Sequence, residues 1–146
     1  MVPLHEWAVA DAIVSSLVSF CSSKGASKIL EVEIVYGEAM EYDLDVLRDA
    51  VEYLSKGTPL EGAKIVFREE KSIFRCNACG AEWNMAEAER LINRALKVEE
   101  EGEGFESPLH FIPELASSLM RCPKCGSPDV EMVKGDSVRV SKVVMS

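Results

Sequence analysis

The stretch Cys76-Asn-Ala-Cys79-Gly80 recurs in form as Cys122-Pro-Lys-Cys125-Gly126, and these two C-x-x-C-G segments decide the interpretation of the chain. Two cysteines three positions apart can direct both sulfurs at one ion when the backbone between them turns tightly. The glycine that follows permits the positive φ that such a turn tends to need. Four thiolates in a tetrahedron suit Zn²⁺. The pattern therefore predicts a metal site formed by Cys76, Cys79, Cys122 and Cys125.

The predicted four-cysteine site is structural, because sulfur fills all four positions and leaves no room for an activated water. Iron is the chemical rival, since a C-P-x-C-G segment also resembles rubredoxin. A redox role for either C-x-x-C pair is less favoured, because neither pair opens a helix after a strand. The fifth cysteine, Cys21, lies on the apolar face of a predicted helix and is expected to be a small core residue.

Composition narrows the class of protein. The chain has 146 residues and a formal net charge of −9, which suits one domain or two small ones. An acidic chain without a basic patch is a poor candidate for binding nucleic acid through its phosphates. No apolar run approaches the roughly 20 residues of a membrane span, and no basic segment precedes an apolar one as in a signal peptide. We therefore expect a cytoplasmic protein with no nucleic-acid partner.

Hydrophobic periodicity predicts an α+β fold. Apolar residues at spacings of three and four predict a helix over 6–23, with a stripe of Trp7, Ala10, Val14, Leu17, Val18 and Cys21. Strands are predicted over 28–36 and 63–70, and a helix over 43–55 with Asp43 as a possible N-cap. The alternating segment 137–145 is expected to return and pair with the first two strands. The result is two helices on a three-stranded sheet.

The cysteine segments are predicted to form an inserted, zinc-ribbon-like domain. We place this domain at 75–132, with a short helix over 84–97 and an acidic, glycine-rich loop over 99–107. The α+β domain then comprises 1–74 plus 133–146.

The chain contains only two histidines, His5 and His110, so a three-histidine catalytic zinc site is excluded. His5 precedes Glu6 at the mouth of the first predicted helix. An imidazole beside main-chain nitrogens that are not yet helix-bonded is a good donor set for square-planar Ni²⁺ or Cu²⁺. A solvated histidine is the simpler alternative for His5. For His110, which stands among apolar residues, the simpler alternative is a packed side chain.

Three segments together resemble the HypA family of hydrogenase nickel-incorporation metallochaperones, in its archaeal form. They are His5-Glu6-Trp7-Ala8, the two C-x-x-C-G segments, and His110-Phe-Ile-Pro-Glu114. The resemblance implies a nickel domain of two helices and three strands, a structural Zn(II) held by the four cysteines, and Ni(II) as transferred cargo. It also implies a HypB-type GTPase and the large subunit of a [NiFe] hydrogenase as partners, and no enzymatic activity.

Nickel is expected at the His5 imidazole and at the main-chain nitrogens of His5 and Glu6, and the resemblance suggests that His110 joins them in a partner-bound state. The family begins Met-His-Glu, with the histidine second. Here the corresponding histidine is His5, so Leu4 stands where the family has its first methionine and three further residues precede it. We expect the natural chain to begin at position 4. Pro3 has no amide hydrogen to lose and cannot be an anionic nitrogen donor. The competing hypothesis is a zinc-ribbon protein-interaction module without a nickel role. A hydrolase lacks support, because no triad, P-loop or open metal site can be assembled.

Overall fold

The computed structural model describes residues 4–96 and 119–146. In chain order the helices are α1 (Leu4–Ser23), α2 (Leu44–Ser55) and α3 (Met85–Leu96), and a 3₁₀ helix spans Glu38–Met40. The strands are β1 (Ile29–Gly37), β2 (Lys64–Glu70), β3 (Ile73–Cys76), β4 (Glu82–Asn84), β5 (Val130–Lys134) and β6 (Val138–Met145). The predicted α+β fold class is confirmed. None of the helices within the described residues combines the length and apolar character needed to cross a bilayer.

The first sheet has the order β2-β1-β6. The segment 137–145 therefore returns to this sheet as predicted, but it pairs with β1 alone, because β2 occupies the other edge of β1. Backbone hydrogen bonds fasten both ends of this pairing: the Ser146 N–H donates to the Lys28 carbonyl at 2.9 Å, and the Gly37 N–H donates to the Ser137 carbonyl at 2.8 Å.

Helices α1 and α2 pack against each other. The buried positions recur at spacings of three and four, as an amphipathic helix requires; they are Ala10, Ile13, Val14, Leu17 and Cys21 on α1, and Leu47, Ala50 and Val51 on α2. The N-cap prediction is also confirmed, since the Asp43 carboxylate accepts hydrogen bonds from the amides of Asp45 and Val46.

The prediction that Trp7 belongs to the buried stripe of α1 is wrong. Its side chain is 38% exposed, and its ring meets that of Tyr53 edge-on at a centroid distance of 5.7 Å. Ile13, which the predicted stripe omits, is buried instead. An indole at the first turns of a helix can lie over a neighbouring aromatic ring while part of its surface stays in water.

The second sheet has the order β4-β3-β5, with both pairings antiparallel. Its core contains the stacked rings of Phe74 and Trp83, 6.4 Å apart, and the Trp83 indole N–H donates to the sulfur of Met120 at 3.0 Å. Cys76 and Cys122 belong to the same hydrophobic cluster. The three strands of this sheet were not predicted from the sequence, whereas helix α3 was.

The chain divides into two compact units. The first comprises Met1–Val35, Tyr42–Arg68 and Arg139–Ser146, and the second comprises Tyr36–Glu41 and Glu69–Val138. The sequence-based boundaries, which set 75–132 apart from the remainder, lie a few residues inside the second unit. Those boundaries place the short segment Tyr36–Glu41 in the first domain. It joins the second unit because Ala39 is buried in the hydrophobic cluster that contains Cys76 and Cys122.

Candidate metal centre

The fold brings together the four cysteines that the sequence predicts to be metal ligands. Their sulfur atoms all lie within 4.8 Å of one another, and the Sγ–Sγ distances are 3.6 Å for Cys76 and Cys125 and 3.6 Å for Cys79 and Cys122. A tetrahedron with metal–sulfur bonds of about 2.3 Å has edges of about 3.8 Å. The spacing and the all-sulfur donor set therefore fit a tetrahedral zinc ion.

Each cysteine pair lies on the same kind of turn. The Gly80 N–H donates to the Cys76 carbonyl at 2.9 Å, and the Gly126 N–H donates to the Cys122 carbonyl at 2.9 Å. Both glycines have a left-handed φ, +80° and +77°, as the C-x-x-C-G pattern predicted. This conformation is costly for a residue with a Cβ, and it directs both cysteines of a pair to one side.

The first turn is also held to the chain segment that leads into β5. The Asn77 N–H donates to the Asp129 carbonyl at 2.8 Å, and the Asn77 side-chain amide donates to the Asp129 carboxylate at 3.1 Å. These contacts join the first cysteine segment to the residues that follow the second one. Sequence reasoning missed both residues, because nothing in the local pattern pairs positions so far apart.

The surroundings of Cys122 and Cys125 shift the pKa values of their thiols in opposite directions. Burial acts to raise the pKa of Cys122, but the amides of Cys125 and Lys124, which donate to its sulfur at 3.4 and 3.3 Å, and hydrogen bonds with neighbouring thiols lower the pKa to about 6. At Cys125 the Ser127 amide acts to lower the pKa, but hydrogen bonding with the Cys76 thiol and burial raise it to about 12. Of these two thiols, Cys122 is therefore the one that more readily offers a thiolate.

His5 and Glu6 lie in the first turn of α1, where His5 is exposed and Glu6 is half-buried. The first four N–H groups of a helix have no intrahelical acceptor, so the amides of His5 and Glu6 are not used by the helix. His110, the third predicted nickel ligand, lies outside the described residues, as does the acidic segment 99–107.

Tyr42 is a neighbour of the His5–Glu6 turn that sequence reasoning missed. Its ring lies against the His5 imidazole, with centroids 5.5 Å apart and an interplanar angle of 32°. Burial, and then the negative charge of Glu6, raise the pKa of the Tyr42 phenol.

Known proteins are similar to this chain in sequence. The sequence model of a family described as HypA, a hydrogenase/urease nickel-incorporation metallochaperone, matches residues 4–145. The hydrogenase maturation factor HypA of Pyrococcus furiosus is 37% identical over 142 residues, which cover 97% of this chain and 96% of that protein. The corresponding protein of Thermococcus kodakarensis is 39% identical over 140 residues, which cover 96% of this chain and 94% of that one.

Solved structures agree on the fold. The Ni metallochaperone HypA from Helicobacter pylori, at 17% identity, aligns with a TM-score of 0.58 over 96% of each chain. Because the family model spans nearly the whole sequence and the archaeal relatives align almost end to end, this chain belongs to the HypA family of nickel-incorporation metallochaperones.

Proposed function

We propose that this chain binds one Ni²⁺ at the first turn of α1 and delivers it to the large subunit of a [NiFe] hydrogenase during maturation. The observation that carries this proposal is the family match over residues 4–145. Delivery makes and breaks metal–ligand bonds only, so the chain acts as a chaperone and not as an enzyme. Its cytoplasmic location stays a prediction.

The proposed nickel ligands are the His5 imidazole and the main-chain nitrogens of His5 and Glu6. Two features support this set: the His5 side chain is exposed, and both amides fall in the first turn, where a helix leaves N–H groups unbonded. The imidazole and its own amide close one chelate ring and the next amide closes another, which favours square-planar Ni²⁺. One position in the plane then remains for another ligand, and we assign it to His110 in a partner-bound state.

We further propose that Cys76, Cys79, Cys122 and Cys125 hold a structural zinc ion. The close approach of their sulfurs supports this role. A zinc ion at this position supplies a covalent link between β3 and the segment before β5, and a closed tetrahedron of thiolates offers no open position for a substrate.

A HypB-type GTPase is the proposed partner that supplies nickel or controls its transfer. A small ligand set on a helix terminus supports such an exchange, because few bonds must be broken when the ion moves on. A closed cage of protein ligands would hold nickel too firmly for this purpose.

Equilibrium nickel titration of the zinc-loaded protein, followed by the visible absorption of square-planar Ni²⁺, tests the proposed function. We expect His5→Ala to abolish stoichiometric nickel binding and to leave the zinc content unchanged. His110→Ala is the matched control, and it should spare nickel binding by the protein alone. A His5→Ala variant that still binds one nickel ion with the original affinity and spectrum would contradict the proposed ligands, and absence of stoichiometric nickel binding by the unaltered protein would favour the interaction-module hypothesis.

A further inference from the structure

We propose that Tyr42 is a positioning residue for nickel binding, because its ring holds the His5 imidazole in the orientation that receives the ion. The inference rests on the proposed function, since it takes His5 as the nickel ligand. It adds a residue from a distant part of the sequence to the site.

The contact between the two rings is the first observation. His5 is exposed at a helix terminus, a setting in which side chains ordinarily sample several rotamers. The Tyr42 ring lies 5.5 Å from the imidazole, centroid to centroid, at an angle of 32°. This separation lies within the range of aromatic neighbours in contact, and the contact favours one orientation of the imidazole.

Tyr42 is itself held on both sides, which is the second observation. The preceding residue, Glu41, adopts a left-handed conformation with φ 49° and ψ 46°. The following residue, Asp43, caps α2 by accepting hydrogen bonds from Asp45 at 3.1 Å and from Val46 at 3.2 Å. A half-buried ring between a defined turn and a capped helix is a firm surface for His5 to lie against.

The consequence for binding is a smaller entropic cost. A ligand side chain that is already restrained loses less freedom when the metal arrives. Immobilising one such side chain corresponds to roughly a two- to tenfold change in affinity. The aromatic face supplies the restraint, so the phenol oxygen of Tyr42 is not required.

The test compares substitutions at Tyr42 in the full-length, zinc-loaded protein. We expect Tyr42→Ala to raise the nickel dissociation constant roughly two- to tenfold, and Tyr42→Phe to keep it at the original value. Tyr53→Ala is the matched control: Tyr53 is 61% exposed on α2 and contacts Trp7. It removes an equal ring from the same unit and should leave nickel affinity unchanged.

A second readout in the metal-free protein isolates positioning from general stability. The NMR shifts of the His5 ring protons should move in Tyr42→Ala, which removes the neighbouring ring current, and should stay near the original values in Tyr42→Phe and Tyr53→Ala. If Tyr42→Ala does not fold, Tyr42→Leu provides the same comparison, because leucine keeps bulk without an aromatic face.

The proposal is overturned if Tyr42→Ala leaves nickel affinity and the His5 ring shifts unchanged, or if Tyr42→Phe weakens binding as much as alanine does. It is also overturned if Tyr53→Ala has an equal effect. Its failure is separable from failure of the proposed function. Loss of nickel in His5→Ala with no effect of Tyr42→Ala removes only the positioning role, whereas nickel binding retained in His5→Ala removes the assignment of His5 as ligand, on which that role depends.

Discussion

The carboxylate of Glu33 joins all three strands of the first sheet. Glu33 lies on the central strand β1, where it accepts a hydrogen bond from the Ser141 hydroxyl of β6 at 2.7 Å and forms an ion pair with Arg68 of β2 at 3.0 Å. The Ser141 hydrogen bond, followed by that of Arg68, holds the pKa of Glu33 below its ordinary value. Stability and proton binding are linked through this single side chain.

Replacing Ser141 with alanine should therefore change how stability depends on pH. A carboxylate whose pKa is lower in the folded state stabilises the fold above its unfolded pKa, and this contribution is lost as the pH falls through the folded value. We expect Ser141→Ala to raise the pKa of Glu33 and to lower the melting temperature near neutral pH. The deficit should vanish in acid below the folded pKa. Carboxyl NMR titration and melting curves across pH measure both effects.

Ser16→Ala, on the exposed side of α1, is the control for loss of a serine hydroxyl. A Ser141→Ala variant in which the pKa of Glu33 stays at its original, lowered value would show that Ser141 does not set this pKa.

The contacts of some residues can be predicted from the sequence, and those of others cannot. The cysteine cluster was predictable because two short patterns each fix a local turn, and one ion is enough to join them. Tyr42 was not predictable as a neighbour of His5, because α1 and β1 separate them and only the packing of α2 on α1 brings the two rings together. Trp7 was misplaced because periodicity gives the direction of a side chain and not the depth of its surroundings.

At the ends of β1, β2 and β5, backbone segments of the second unit approach unusually closely. A Cβ added to Gly37 would lie 2.2 Å from the Gly135 carbonyl oxygen, and one added to Gly135 would lie 2.6 Å from the Ser72 Cα. Two carboxylates hold these backbone segments together. Glu38 accepts a hydrogen bond from the Ser72 amide at 2.9 Å, and Glu70 accepts one from the Gly135 amide at 3.2 Å. Gly37, with φ −75°, is needed for space alone, whereas Gly135, with φ +86°, is needed for space as well as for conformation.

Two glycine substitutions separate these requirements. Gly25 and Gly135 both have a left-handed φ, +68° and +86°, but an added Cβ at Gly25 meets nothing within 4 Å. Gly25→Ala should cost about 1–2 kcal/mol, the cost of the left-handed conformation alone. Gly135→Ala should cost clearly more, because the Ser72 backbone must also move. Urea denaturation measures both losses in the free energy of unfolding. Equal losses would show that the backbone around Gly135 and Ser72 moves apart without cost.

Whole elements were predictable where they are long and periodic. Helices α1 and α2 and strands β1, β2 and β6 each contain enough residues to show a repeat of 3.6 or 2. Strands β3 and β4 have four and three residues, too few to display alternation. They form because Phe74 and Trp83 pair across them in the core, and this information lies outside either segment.

Zinc should stabilise the second unit more than the first. In small metal-folded units a structural zinc contributes roughly 10 kcal/mol or more, and the proposed ligands all belong to the second unit. We expect Cys76→Ser to lose zinc and to lose amide protection over 69–96 and 119–138, while α1 and α2 remain protected. Metal analysis and hydrogen exchange provide the measurement, and nickel affinity should change less than nickel transfer to a partner.

Cys21→Ser is the matched control, since Cys21 is buried in the first unit and lies away from the sulfur cluster. It should keep its zinc. Retention of zinc by Cys76→Ser with an unchanged melting curve would contradict the four-cysteine assignment.

Strand β6 imposes an order on biosynthesis. It follows every other described element along the chain, yet its place in the sheet is beside β1, near the beginning. A ribosome therefore delivers α1, β1, α2 and β2 long before the strand that completes their sheet, and it delivers both cysteine pairs in the interval. Domains generally fold as units as they emerge, and the second unit ends at Val138 whereas the first needs the residues from Arg139 to Ser146. Synthesis thus completes the sequence of the cysteine-containing unit first, and the unit that begins the chain is the last to become whole.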